Sequence, residues 1–135
     1  MARLIDSSLW VDFTRAKSPP ALKSRILPWI LDPEAVLCEL IACEVLRHAT
    51  PAERPKIEAQ FGTLPLLSTP KDLWKDATRL GQKCRETGVS AGSLDLLIAS
   101  LSIHHQAEFI TFNEDFSAIA RVSALQLTLL ARNAD

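Results

Sequence analysis

No uninterrupted apolar stretch in this 135-residue sequence approaches the ~20 residues that a bilayer-spanning helix requires. The opening Met1-Ala2-Arg3-Leu4-Ile5-Asp6 places an acid ahead of any signal-peptide core. A cytoplasmic protein with no membrane partner is therefore expected. An excess of one charge is also missing. Fifteen Lys and Arg against 16 Asp and Glu leave a net charge of −1, which excludes coating of nucleic acid by bulk positive charge but not a local basic rim. Cysteine is scarce and odd in number. Cys38, Cys43 and Cys84 lack zinc-finger spacing, so buried free thiols are expected. No glycine-rich loop follows the first strand candidate, which argues against a dinucleotide-binding fold. No linker, repeat or low-complexity segment interrupts the chain, so residues 1–135 read as one domain.

What is present is an ordinary globular composition, 47% apolar and 23% charged. Size scaling gives a folded surface near ~7,000 Å² against ~21,600 Å² for the extended chain, enough burial for a core without staples. Arg3-Leu4-Ile5-Asp6 reads as a short buried strand, followed by a helix from Ser7 to Lys17. Ser18-Pro19-Pro20 breaks that helix and begins another carrying Leu22, Ile26, Leu27 and Ile30. Ala35–Cys38 is a second strand candidate and Glu39–His48 a helix. Thr50-Pro51-Ala52-Glu53 has capping-box form ahead of a helix ending near Phe61. Leu64–Leu67 is a strand candidate weakened by Pro65. A helix then follows Thr69-Pro70 and runs to Gly88. Ser93 reads as the cap of an apolar helix to about His105. Glu108–Phe112 is the clearest strand, followed by a short helix over 116–120 and an edge strand over 125–129. Short strands alternating with helices predict a three-layer α/β/α fold on a parallel sheet.

Sites in such sheets form at the C-terminal ends of strands. Asp6 and Asp115 fall there. Glu44 and Asp95 lie inside apolar helical segments, where an unpartnered buried carboxylate is costly. Converging carboxylates suit a hard divalent cation, Mg²⁺ or Mn²⁺. Ordinary roles remain open for each acid. Asp6 suits a helix cap, Asp95 suits the helix dipole, Glu44 suits an exposed stripe, and Asp115 suits a turn. Adjacent His104 and His105 point in different directions on a helix and read as a helix-end pair. Trp10, Trp29 and Trp74 read as core.

These residues carry a resemblance. Leu4-Ile5-Asp6-Ser7-Ser8-Leu9-Trp10 resembles the opening of a PIN domain, in particular of VapC-type toxin ribonucleases. Cys43-Glu44-Val45-Leu46, Leu94-Asp95-Leu96-Leu97-Ile98-Ala99 and Ile110-Thr111-Phe112-Asn113-Glu114-Asp115-Phe116 resemble the three further motifs of that family, in its order. The resemblance implies about five parallel strands with helices on both faces and an acidic pocket at the strand ends. It implies that Asp6, Glu44 and Asp95 hold a Mg²⁺ or Mn²⁺ ion and that Asp115 is a fourth, more variable acid. Asn113 stands where many relatives carry Asp, and Ser7 matches a supporting hydroxyl. The implied reaction is metal-assisted hydrolysis of RNA phosphodiesters, leaving a 5′-phosphate and a 3′-hydroxyl.

The resemblance also implies a cognate antitoxin as partner, laid along a groove for which Trp10, Phe13, Leu22 and Trp29 are candidates, and a homodimer. Arg15, Lys17, Lys23 and Arg25 cluster near the turn after the first helix. They are candidates for gripping RNA phosphates, against the plainer reading of a solvated surface. Two alternatives stand beside the nuclease: a non-catalytic PIN-like protein-binding module, and a phosphotransfer domain of the haloacid-dehalogenase or receiver type. The dehalogenase pattern wants an acid two residues after Asp6, where this chain has Ser8.

Overall fold

The computed structural model describes residues 1–133. Five strands are β1 (Arg3–Ile5), β2 (Ala35–Cys38), β3 (Leu66–Leu67), β4 (Glu108–Thr111) and β5 (Gln126–Leu129). Seven helices separate them: α1 (Ser7–Thr14), α2 (Pro20–Ile30), α3 (Glu39–His48), α4 (Arg54–Phe61), α5 (Leu73–Glu86), α6 (Ser93–His104) and α7 (Asp115–Arg121). All strand pairings are parallel, in the order β3-β2-β1-β4-β5. The central strand registers Leu4 against Val36 on one side and Phe109 on the other. Leu4, Ile5, Phe109 and Ile110 are wholly buried, as strands covered on both faces require.

The order has a consequence for the helices. The chain moves one way from β1 to β2 to β3, then returns past β1 to β4 and on to β5. Right-handed crossovers therefore put α1 to α4 on one face and α5 to α7 on the other. The strand order reverses between β1 and β4, and the crevice above their C-terminal ends is the switch point where ligands of open α/β sheets bind. The surface of 7810 Å² is close to the size-scaling expectation. No helix among the described residues is long and apolar enough to cross a membrane.

At the opposite, N-terminal end of the strands the charges are neutralised within the chain. The Arg3 guanidinium donates to Asp32 and to Glu108 (3.2 Å to the latter), and the Thr128 hydroxyl also donates to Glu108. A backbone N–H from Glu34, with Arg3 beside it, holds the Asp32 carboxyl below its ordinary range.

Several expectations need correction. Helix α1 stops at Thr14, because the Thr14 hydroxyl turns back to the Trp10 carbonyl (2.8 Å) and Arg15 is extended. Gly92, not Ser93, is the cap position of α6, and it has no side chain to cap with. The Thr50 and Glu53 box does form, with Thr50 N–H on Glu53 Oε1 (2.9 Å) and Glu53 N–H on Thr50 Oγ1 (3.3 Å). It closes a turn one residue ahead of α4. Cys43 is exposed, whereas Cys38 and Cys84 are buried. Burial pushes the Cys38 thiol up to about 11. Trp74 is 72% exposed instead of being core. Trp10 is fully buried with its ring edge-on to Phe61, so it cannot line an open groove. His105 Nε2–H donates to the Ser68 carbonyl (2.7 Å), a structural tie across α6.

Candidate active site

Asp6 follows β1 directly. Its backbone N–H continues the ladder to Ile110 (2.9 Å), and its carbonyl accepts the Leu9 N–H (3.1 Å) at the start of α1. Asp6 thus occupies the cap position, but its side chain makes no cap bond. The carboxylate faces the switch point and is 4% exposed. Three hydroxyls meet it. Thr111 Oγ1 donates to Oδ2 at 2.7 Å, Ser8 Oγ donates to Oδ2 at 2.9 Å, and Ser7 Oγ reaches Oδ1 at 3.4 Å. All three partners are neutral hydroxyls, so no side-chain counter-charge bonds to this buried carboxylate.

The other acids arrive from different layers. Glu44 projects from α3 on one face of the sheet, Asp95 from the first turn of α6 on the other, and Asp115 from the start of α7 after β4. Asp6, Glu44, Asp95 and Asp115 line one hollow of about 450 Å³ together with Ser7, Ser8, Asn113 and Arg132. Burial, and then the Asp6 charge, push the Glu44 carboxyl above its ordinary range, with Asp95 adding to the effect and a Ser7 hydrogen bond opposing it. Burial, Asp6 and Asp115 do the same to Asp95. These shifts are the electrostatic signature of carboxylates sharing a site.

The four acids share the hollow without closing on one point. Among the described residues, no three His, Cys, Asp or Glu side chains are grouped tightly enough to hold an ion as they stand. Repulsion between like charges favours such spacing, and a dication reverses the sign of that interaction. The donor set, all hard oxygen, fits Mg²⁺ or Mn²⁺ and fits poorly with softer metals.

The supporting residues sort differently from expectation. Thr111 and Ser8 make the short contacts to Asp6, and Ser7 serves Glu44 as well. Asn113 lines the hollow; its Oδ1 accepts the Asp115 N–H (3.0 Å), and its own N–H donates to Thr111 Oγ1 (2.9 Å). Asn113 therefore shapes the turn that delivers Asp115. Thr111 was not a sequence candidate, although alternate residues of a buried strand ending at a site mark it as one. Arg132 was also missed, since no motif surrounds it.

Of the four basic candidates, Arg15 lines a second hollow beside the first, with Ser7, Ser8, Glu44 and His48. Arg25 is engaged elsewhere, because its guanidinium donates to the carbonyls of Ala131 and Arg132. Lys17 is exposed in the turn and Lys23 half-buried on α2. Of the groove candidates, Phe13 lines an apolar hollow of about 420 Å³ with Ala52, Lys56 and Ile57. Leu22 and Trp29 are half-buried against the core.

An all-parallel sheet with carboxylates from both helical layers over its switch point defines an α/β domain with an acidic strand-end site. Residues 3–122 match the family described as PIN domain, and the chain belongs to that family. It is 35% identical over 130 residues to Ribonuclease VapC11 of Mycobacterium tuberculosis, covering 91% of this chain and 95% of that one. Among solved structures it resembles VapBC2 from Rickettsia felis bound to a promoter DNA fragment. There the TM-score is 0.76 at 18% identity, over 96% of this chain and 99% of that one. It also resembles VapBC-5 of Mycobacterium tuberculosis, a member of the VapBC family of toxin–antitoxin systems. That match has TM-score 0.60 at 22% identity, over 96% and 98% of the two chains. The dehalogenase and receiver alternatives fall with the family assignment.

Proposed function

We propose that this protein is a divalent-metal-dependent endoribonuclease, the toxin of a type II toxin–antitoxin pair. The observation that carries the reading is the meeting of Asp6, Glu44, Asp95 and Asp115 in one hollow, with Glu44 and Asp95 pushed up in pKa by burial and by their acidic neighbours. The name of the relative, a VapC ribonuclease aligned over nearly the whole chain, supports it.

The four carboxylates would hold Mg²⁺ or Mn²⁺. When bound, the ion supplies an acidified water and neutralises charge on the phosphate. The chain's own residues prepare that chemistry. Thr111 and Ser8 hold Asp6 in one orientation, Ser7 steadies Glu44, and Asn113 sets the turn carrying Asp115. Asp95, in the first turn of α6, and Asp115, at the start of α7, are the two carboxylates that would orient the attacking water. No nucleophilic side chain is needed, and the products are a 5′-phosphate and a 3′-hydroxyl.

An antitoxin partner is supported by the solved toxin–antitoxin relative. The apolar hollow beside Phe13 offers it a seat. A homodimer is supported by Trp74, exposed on α5 beside a hollow lined by Leu96 and Leu97. A cytoplasmic location fits such a pair. The non-catalytic alternative would lack a use for four converging acids.

The test is cleavage of structured RNA by purified protein with Mg²⁺ or Mn²⁺, with EDTA as control. Cutting that needs the ion and disappears in Asp6→Asn and Glu44→Gln is the expected result. Equal cutting by both variants, or cutting in EDTA, would refute the assignment.

A further inference from the structure

We propose that Arg132 is the phosphate-binding residue of a subsite beside the acidic hollow, and that the RNA strand leaves the reaction centre past it towards Arg15 and His48. The proposal rests on the ribonuclease reading above and adds the path of the substrate.

The acidic hollow presents an electrostatic problem. Its lining includes Asp6, Glu44, Glu114, Asp95 and Asp115, against one cation, Arg132. A polyanion entering it is repelled everywhere except at that guanidinium and at a bound metal ion. Arg132 also lines the neighbouring hollow of about 210 Å³, which shares Ser7, Ser8 and Glu44 with the first and adds Arg15 and His48. The two hollows adjoin along Ser7, Ser8, Glu44 and Arg132; the first has five acids against one arginine, whereas in the second Arg15 and Arg132 balance Asp12 and Glu44.

The guanidinium is held for binding. Its Nε donates to Asp12 Oδ2 at 2.7 Å, and its carbon lies 5.2 Å from the centre of the Phe112 ring. Those contacts fix the plane, and among the described residues the two terminal nitrogens make no hydrogen bond. The side chain stays 53% exposed, whereas Asp12 is 14% exposed. Two parallel N–H groups on a fixed plane match phosphate oxygens in a bidentate fork. The backbone beneath is clamped by Arg25, which donates to the carbonyls of Ala131 and Arg132. Arg25 therefore acts on RNA through the tail it pins, while Arg132 and Arg15 meet the phosphates.

The experiment measures binding of a short, fluorescein-labelled, single-stranded RNA of mixed sequence by anisotropy in EDTA, across a salt series. Arg132→Gln and Arg132→Lys are compared with the parent, with melting midpoints recorded for each. Loss of one phosphate contact should lower the slope of log affinity against log salt by about 0.7 and weaken low-salt binding roughly tenfold in Arg132→Gln. Arg132→Lys should keep the parental slope and lose only about threefold, because it keeps the charge but not the fork. A parental slope in Arg132→Gln overturns the subsite, as does equal weakening by both variants. Cleavage with Mg²⁺ is scored separately. A parent that cuts RNA while Arg132→Gln keeps its slope defeats the subsite alone. A parent that neither cuts nor binds RNA removes the ribonuclease reading and the subsite with it.

Discussion

The two ends of one parallel sheet treat acids in opposite ways. At the N-terminal end, Asp32 and Glu108 share the Arg3 guanidinium, and Asp32 titrates below its ordinary range. At the C-terminal end, Asp6 is met by three hydroxyls, and Glu44 and Asp95 titrate above theirs. Arg132, the arginine lining the acidic hollow, is tied to Asp12, outside the acid cluster. The strands, their register and the residue types are shared, so the difference lies in where the counter-charge comes from. One end carries its cation in the chain and is finished on folding. The other end gathers acids without such a partner, and the proposed dication would offset that charge.

The largest effect that would sharpen the contrast is on catalysis. Asp6→Asn should reduce RNA cleavage by more than the roughly hundredfold that outer contacts cost at metal sites, with the melting midpoint held or raised. Thr111→Val keeps the shape of the strand end but removes a buried donor to Asp6. It should lower cleavage by about 10- to 100-fold, measured at saturating Mn²⁺. Arg3→Met should do the reverse, lowering the melting midpoint by a few degrees and leaving the cleavage rate alone. A large loss of cleavage in Arg3→Met would break the separation between the two ends.

A smaller effect appears in the pH dependence of stability in EDTA. Asp32 has a folded pKa below its unfolded one, so its contribution is present above the ordinary Asp range and lost as pH falls. Glu44 and Asp95 have folded pKa values above their unfolded ones. The folded chain then holds more protons than the unfolded chain, and stability falls as pH rises from the ordinary carboxylate range through the raised values. Glu44→Gln should flatten that falling limb in thermal melts, and Asp32→Asn should flatten the limb on the acid side. An unchanged profile in Glu44→Gln would contradict the crowding of charge at the site.

Much of this was legible in the sequence because the signals were local. Ile5-Asp6 announces a buried strand that stops at an acid, Glu108–Phe112 reads as the clearest strand, and an acid inside Leu40–Leu46 or Leu94–Ala99 stands out against its helix. Four such acids in family order give the candidate site, and the structure brings all four to one hollow. What could not be read depends on distance along the chain. The Thr111 bond to Asp6 spans 105 residues and the Arg132 bond to Asp12 spans 120, and no spacing rule reaches so far. Trp10 is core as read, but its place as a groove candidate and the core reading of Trp74 fail for the same reason. Helical periodicity locates an apolar residue on a face, but only tertiary packing, which sets Trp10 of α1 against Phe61 and buries Leu73, Ala77 and Cys84 of α5 while leaving Trp74 out, decides which face is covered.

Calorimetric titration of Mn²⁺ into the metal-free protein tests the central claim most directly. The parent should bind the ion with release of protons near the raised pKa values of Glu44 and Asp95, and binding should be lost in Asp6→Asn and in Glu44→Gln. Heat of the same size in the parent and both variants, or none in a folded parent, would contradict it.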